Sequence, residues 1–139
     1  MTIHRDALST LHNSIRKAAT EELLPRFNAV ETAYKADGSI VTEADHAMPD
    51  RLQAELPQHF PGYGLLGEEM TAEEQLSQLR DINGGLWVLD PLHGTSNFAA
   101  GIPYFAVSLA LIEAGRVSLG IVYDPCRDEY FHAIRDTGA

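Results

Sequence analysis

Trp87-Val88-Leu89-Asp90-Pro91-Leu92-His93-Gly94-Thr95-Ser96-Asn97-Phe98 is the stretch on which the fold of this chain turns. Its first residues are an apolar run that reads as a buried strand delivering Asp90 at its end, and Pro91 then forces the chain to turn. Within a few residues the stretch presents a carboxylate, the Leu92 carbonyl, the His93 imidazole and the Thr95 hydroxyl. Gly94 lets the backbone approach whatever is bound, and the N–H groups around Gly94 and Thr95 can form an anion-binding nest. A helix starting near Thr95 would add positive potential at its N-terminus. Spacing alone leaves a second reading open, in which Asp90-Pro91 is only a strand-ending turn.

Working outward, the segments from Gly62 onward carry strand signals. Tyr63 to Leu66 and Leu86 to Leu89 are short apolar runs bounded by glycines or acids. Between them, Met70 to Leu79 is acidic and reads as a short helix or a mobile loop. Tyr104–Ile112, Val117–Tyr123 and Glu129–Ile134 are three further strands, separated by the turn signals Glu113-Ala114-Gly115-Arg116 and Asp124-Pro125-Cys126-Arg127-Asp128. Connections this short predict an antiparallel meander, because parallel neighbours need long crossovers.

Upstream, Leu8, Leu11, Ile15, Ala18, Ala19 and Leu23 recur at helical spacing, which predicts an amphipathic helix from about residue 5 to Leu24, stopped by Pro25. Lys35-Ala36-Asp37-Gly38-Ser39 is a polar turn, and Ile40 and Val41 read as a short strand. Thr42 is placed to cap a second helix running to Leu56, with Met48, Leu52 and Leu56 inward and Pro49 expected to kink it or delay its start. Helices followed by strands make one α+β domain over residues 1–139, two N-terminal helices packed on a mostly antiparallel sheet.

The chain has 139 residues, 45% of them hydrophobic and 22% charged, with a formal net charge of −10. This is the composition of a globular domain. So acidic a balance argues against a nucleic-acid partner, which needs a basic face. It suits either a solvated acidic surface or a carboxylate cluster that holds cations. Cys126 is the sole cysteine, so no internal disulfide forms and a cytoplasmic setting is expected. Met1-Thr2-Ile3-His4-Arg5-Asp6 lacks the basic and apolar regions of a secretory signal, and no stretch is apolar for the length of a membrane span.

Gly67-Glu68-Glu69 also follows a buried strand. Adjacent carboxylates there meet cations or remain in water as an acidic loop. Taken together with Asp90 to Phe98, this segment resembles the signature of the inositol monophosphatase family. Lys35 to Asp45, reading Lys-Ala-Asp-Gly-Ser-Ile-Val-Thr-Glu-Ala-Asp, resembles the family's upstream loop, and the strands Tyr104–Ile112 and Val117–Asp124 continue the similarity. The resemblance implies the N-terminal half of a layered αβαβα sugar-phosphatase fold. It implies that Glu68, Asp90 and the Leu92 carbonyl hold a first magnesium ion. Thr95, with Glu68, would position and activate the attacking water, and the backbone at Gly94 and Thr95 would touch the phosphate. Asp45 and Glu69 fall in the outer part of the metal site, and Lys35 in a loop closing over the substrate. The implied reaction is two-metal hydrolysis of an inositol phosphate or a related polyol or sugar phosphate.

Two departures from the family pattern stand out. His93 occupies the place of an aspartate that binds the second metal. Magnesium discriminates against nitrogen, whereas manganese and zinc accept it more readily. Members of the family are also about double this length, and their second half supplies a further metal-binding aspartate in a Trp-Asp segment, whereas Trp87 is the only tryptophan here. The resemblance therefore implies an impaired phosphatase whose exposed apolar surface favours a homodimer, or else a non-catalytic remnant that binds metal, phosphate or another protein.

Overall fold

The computed structural model describes residues 5–27, 32–34, 40–80 and 84–139. Helix α1, Arg5–Ala18, turns Leu8, Leu11, Ile15 and Ala18 inward. The chain does not continue as α-helix to Pro25. It widens into a π-helical turn over Ala19–Leu23 and tightens into a 3-10 turn, Leu24–Arg26, that contains Pro25. The wide turn brings Glu21 and Glu22 to one guanidinium, with Arg51 Nη1 lying 2.5 Å from Glu21 and 3.3 Å from Glu22. Arg51 also holds Glu55 at 2.6 Å, and Arg26 holds Glu22 at 2.8 Å. Burial of Ala19 and Leu23 continues across the change of pitch.

Strands β1, Thr32–Tyr34, and β2, Ile40–Thr42, form a small antiparallel pair ahead of helix α2, Ala44–His59. Pro49 neither delays α2 nor ends it, and the helix runs continuously through Pro49 and Pro57. Each proline removes one backbone hydrogen bond. Packing of Met48, Leu52 and Leu56, all at most 2% exposed, compensates for the loss. Thr42 does not cap α2 as a side-chain acceptor. Its N–H and hydroxyl instead both donate to Asp45 in the first turn.

The main sheet has the order β3-β4-β5-β6-β7, formed by Gly64–Gly67, Leu86–His93, Ala106–Glu113, Arg116–Asp124 and Glu129–Ile134. From β4 onward it is the expected antiparallel meander. β3 and β4 are parallel, and helix α3, Ala72–Arg80, is the crossover between them. α3 buries none of its residues, and Leu76 and Leu79 remain exposed. β4 also extends past Asp90 to His93, with a shift in its register to β5 between those residues. Pro91, which has no N–H to give to the ladder, accounts for the irregularity.

One face of the sheet packs on α1 and α2 through Trp87, Leu89, Val107, Leu109, Leu111, Leu119, Ile121 and Tyr123. The opposite face carries Val88, Val122 and Phe131 exposed, as strand alternation requires. Trp87 meets Phe60 edge-on at 5.3 Å and Tyr63 at 5.7 Å. The Tyr63 ring lies so close to Gly84 that a Cβ there would come within 1.9 Å of a ring carbon. At the other end of the sheet, His12 of α1 stacks on Tyr130 at 4.2 Å and lies 5.4 Å from His132. Tyr130 donates its hydroxyl hydrogen to the His12 carbonyl, and Arg16 sits over the same ring while pairing with Asp128 at 2.9 Å.

Two expectations follow. Gly84→Ala should lower unfolding free energy by about 1–3 kcal/mol in urea titration, because Tyr63 must shift and open the Trp87 cluster. The second concerns acid stability. Burial, with His132 and Arg16 nearby, holds His12 below its ordinary value of 6.5. A lowered folded-state value means that the unfolded chain binds the extra proton first, so stability falls as pH drops through about 6.5. The difference in urea midpoint between pH 7.5 and pH 5.5 should shrink in His12→Phe, which keeps the stacking and removes the titration.

Candidate functional site

The parallel pairing of β3 with β4 is what assembles the site. Its register sets Gly67 opposite Leu89, so Glu68, just past the end of β3, falls beside Asp90 of β4. The carboxyl edge of parallel strands is where α/β sheets generally receive ligands. A cleft of about 340 Å³ opens there, lined by Asp45, Glu68, Glu69, Asp90, Leu92, His93, Gly94, Thr95, Ser96 and Asn97. Every residue that the sequence nominates as a site residue is in that lining except Lys35, which lies outside the described residues.

Asp45 forms the floor of the cleft. It is only 4% exposed, and its Oδ2 accepts from the Thr42 N–H at 2.7 Å and the Thr42 hydroxyl at 2.9 Å. Its Oδ1 lies 3.0 Å from the Thr95 hydroxyl, which is also 3.1 Å from the Leu92 carbonyl. Both partners are acceptors, so the single Thr95 proton is shared between them and the oxygen's lone pairs stay available. Thr95 is therefore tied to Asp45, a partner that the sequence does not nominate for it.

Gly94 makes the turn that follows β4. Its φ is +98°, and a Cβ there would meet the Tyr104 carbonyl at 3.1 Å, so both conformation and space call for glycine. A short helix, α4, Thr95–Ala99, begins directly after it and buries Phe98. The first N–H groups of this turn have no intrahelical partners. Asn97, which the sequence does not single out, donates from Nδ2 to the Tyr104 carbonyl at 2.9 Å and braces the loop before β5.

His93 stands at the rim with its side chain 78% exposed, and its Nδ1 is 3.0 Å from Asp90 Oδ2. Oxygens dominate the donors around the cleft, namely four carboxylates, a carbonyl and hydroxyls, and this chemistry suits a hard divalent cation. The imidazole is the exception. Among the described residues, no group of three or more His, Cys, Asp or Glu side chains converges closely enough to grip an ion as placed.

Known proteins share this α+β fold. The inositol monophosphatase family profile matches residues 4–139, and the chain belongs to that family. It is 42% identical over 111 residues to an inositol-1-monophosphatase of Mesorhizobium japonicum, covering 79% of this chain and 40% of that protein. It is 38% identical over 114 residues to the Nus factor SuhB of Pasteurella multocida, covering 82% of this chain and 41% of that one. Among solved structures, the IMPase of Thermotoga maritima superposes with a TM-score of 0.79 at 32% identity, over 94% of this chain and 49% of that chain. The chain thus spans roughly two-fifths to half the length of these relatives.

Thr95→Val should keep the shape of the turn and strip one donor from a buried carboxylate. The expected loss is about 1–3 kcal/mol of unfolding free energy, read by chemical denaturation. Unchanged stability would mean that the Asp45–Thr95 bond does not organise the cleft.

Proposed function

We propose that this chain is the metal- and phosphate-binding part of a phosphomonoesterase acting on an inositol phosphate or a related polyol or sugar phosphate. The observation that carries the reading is the single cleft in which Asp45, Glu68, Glu69, Asp90, Leu92, His93, Gly94 and Thr95 all meet, although up to fifty residues separate them in sequence. Glu68, Asp90 and the Leu92 carbonyl are the ligands for a divalent ion, with Asp45 and Glu69 in its outer surroundings and His93 at a second position. Magnesium is the ion that the oxygen donors favour, and the His93 nitrogen admits manganese or zinc. Bound divalent ions would supply acidification of the attacking water and neutralise charge on the leaving oxygen.

The chain's own residues do the rest. Thr95 holds its hydroxyl between Asp45 and Leu92, with lone pairs available to orient a water. Glu68 is the base for that water's proton. The N–H groups of Gly94 and Thr95 receive phosphate oxygens, and Lys35 attracts the same anion from the upstream loop. The net charge of −10 supports a small phosphorylated ligand over a nucleic acid. No described helix is long and apolar enough to cross a membrane. We assign the protein to the cytoplasm, and the exposed Val88, Val122 and Phe131 support a homodimer.

A second reading is that the chain binds metal, phosphate or a protein partner without turning over. The Asp90–His93 contact favours it, because one oxygen of a proposed metal ligand is already engaged.

The deciding experiment is phosphate release from inositol monophosphate with magnesium and, separately, manganese. Slow release that depends on the ion, rises in His93→Asp and disappears in Glu68→Gln is the expected result. Calorimetric binding of ion and phosphate with no release from any variant would favour the second reading.

A further inference from the structure

We propose that the free edge of β7 pairs antiparallel with the same edge of a second copy of this chain, which joins the two five-stranded sheets into one across a twofold axis at Phe131. The inference deepens the homodimer reading above by naming its surface, and it does not depend on the chemistry of the cleft.

A sheet edge presents a row of unpaired N–H and C=O groups, which folded proteins normally cover or blunt. The two edges of this sheet differ in that respect. At β3 the edge donors are satisfied by the segment that follows. The Leu65 N–H donates to Gln78 Oε1 of α3 at 3.0 Å, and the Gly67 N–H points to Met70 Sδ at 3.1 Å. At β7, among the described residues, no strand lies on the far side. The strand reads Glu129-Tyr130-Phe131-His132-Ala133-Ile134, without the lysine or proline that commonly guards an edge.

The end of the chain shows which backbone groups face outward. Ile134 donates its N–H to the Gly138 carbonyl and accepts from the Gly138 N–H, both at 3.1 Å, so its polar groups point away from β6. Antiparallel strands alternate residue by residue, so Tyr130 and His132 point the same way, while Phe131 and Ala133 face β6. Gly138 already fills the position beside Ile134, which leaves residues 129–133 as the open length. Only one register then sets the open groups of two copies against each other without displacing Gly138. In it Tyr130 lies opposite His132 of the second copy, and each such pairing exchanges both of its N–H···O bonds.

Alternation also places the side chains. Tyr130 and Ile134 pack on the core beneath, so Phe131 stands on the outer face, 60% exposed. Across the axis the two Phe131 rings meet as a non-hydrogen-bonded pair, the closer of the two pair types, and cover each other. Glu129 falls opposite Ala133 and diagonal to Arg135 of the second copy, within reach for side chains this long. The twofold axis repeats that pair of opposite charges on the other side.

The test is amide hydrogen exchange, followed residue by residue in the full chain at low and high concentration, beside sedimentation velocity. The Phe131 and Ala133 amides should exchange slowly at both concentrations. The Tyr130 and His132 amides should slow only as the dimer fills, by about five- to tenfold, the change expected of one hydrogen bond. His132→Pro removes an edge donor and no bond to β6, so it should sediment as a monomer with its far-ultraviolet spectrum unchanged. Glu129→Arg should weaken association, and adding Arg135→Glu should restore it.

A monomer at every concentration would overturn the inference and the homodimer reading together. A dimer whose Tyr130 and His132 amides stay fast, or one that survives His132→Pro, would overturn the edge pairing alone and move the contact to the outer face of the sheet at Val88 and Val122.

Discussion

The arrangement of the cleft depends on one buried carboxylate. A charge as enclosed as that of Asp45 is tolerated only if its oxygens are satisfied, since an unpaired buried anion is far too unfavourable to persist. Three donors satisfy it, two from Thr42 and one from Thr95, so that donors and acceptor together join three different places in the fold. Thr42 ends β2, Asp45 lies in the first turn of α2, and Thr95 opens α4 after the long strand β4. The helix layer and the sheet edge are thereby locked at one point. The requirement is specific, because packing by apolar side chains alone would tolerate small slips between layers, whereas these bonds have lengths and directions to meet.

The second constraint is topological. A meander built only from hairpins would alternate its strand directions and send Glu68 and Asp90 to opposite edges. The α3 crossover makes β3 parallel to β4, and the end of β3 then falls beside Asp90 of β4. α3 contributes little packing of its own, with none of its residues buried, so its role is connectivity. The small groups Gly84 and Gly94 act at the two ends of this unit. Gly84 gives the Tyr63 ring room beside Trp87, and Gly94 lets the chain leave β4 against the Tyr104 carbonyl.

Much of this was legible in the sequence where a local rule governs. The strands after residue 63 follow from apolar runs and turn residues, and α1 from its spacing. The candidate residues of the cleft come from the resemblance to the inositol monophosphatase family, since spacing alone leaves Asp90-Pro91 open as a simple strand-ending turn. What was not legible depends on partners distant in sequence. The π turn at Ala19–Leu23 serves Arg51, which lies on another helix. Pro49 reads as a helix breaker, yet burial of Met48 and Leu52 on either side of it outweighs one lost backbone bond. The Thr42 reading had the right residue and the wrong direction, since a threonine three residues before an aspartate fits either partner as the acceptor. Thr95 and Asp45 are fifty residues apart, and no periodicity connects them.

Solvent exposure sets how strongly this cleft can act. The floor at Asp45 is dry, but the rim is wet, with Asp90 38% and His93 78% exposed at their side chains. Charge interactions near water operate at a high effective dielectric and weaken accordingly. The inner half of the cleft thus has enclosed, hydrogen-bonded dipoles, while the half around Asp90 and His93 faces bulk solvent. Preorganised groups contribute most to a transition state when water is excluded around them. The apolar outer face of the sheet, at Val88, Val122 and Phe131, points the same way. On physical grounds the rim of the cleft and the outer face of the sheet would both gain from the same remedy, a covering layer that lowers the dielectric over Asp90 and His93 while it buries those side chains.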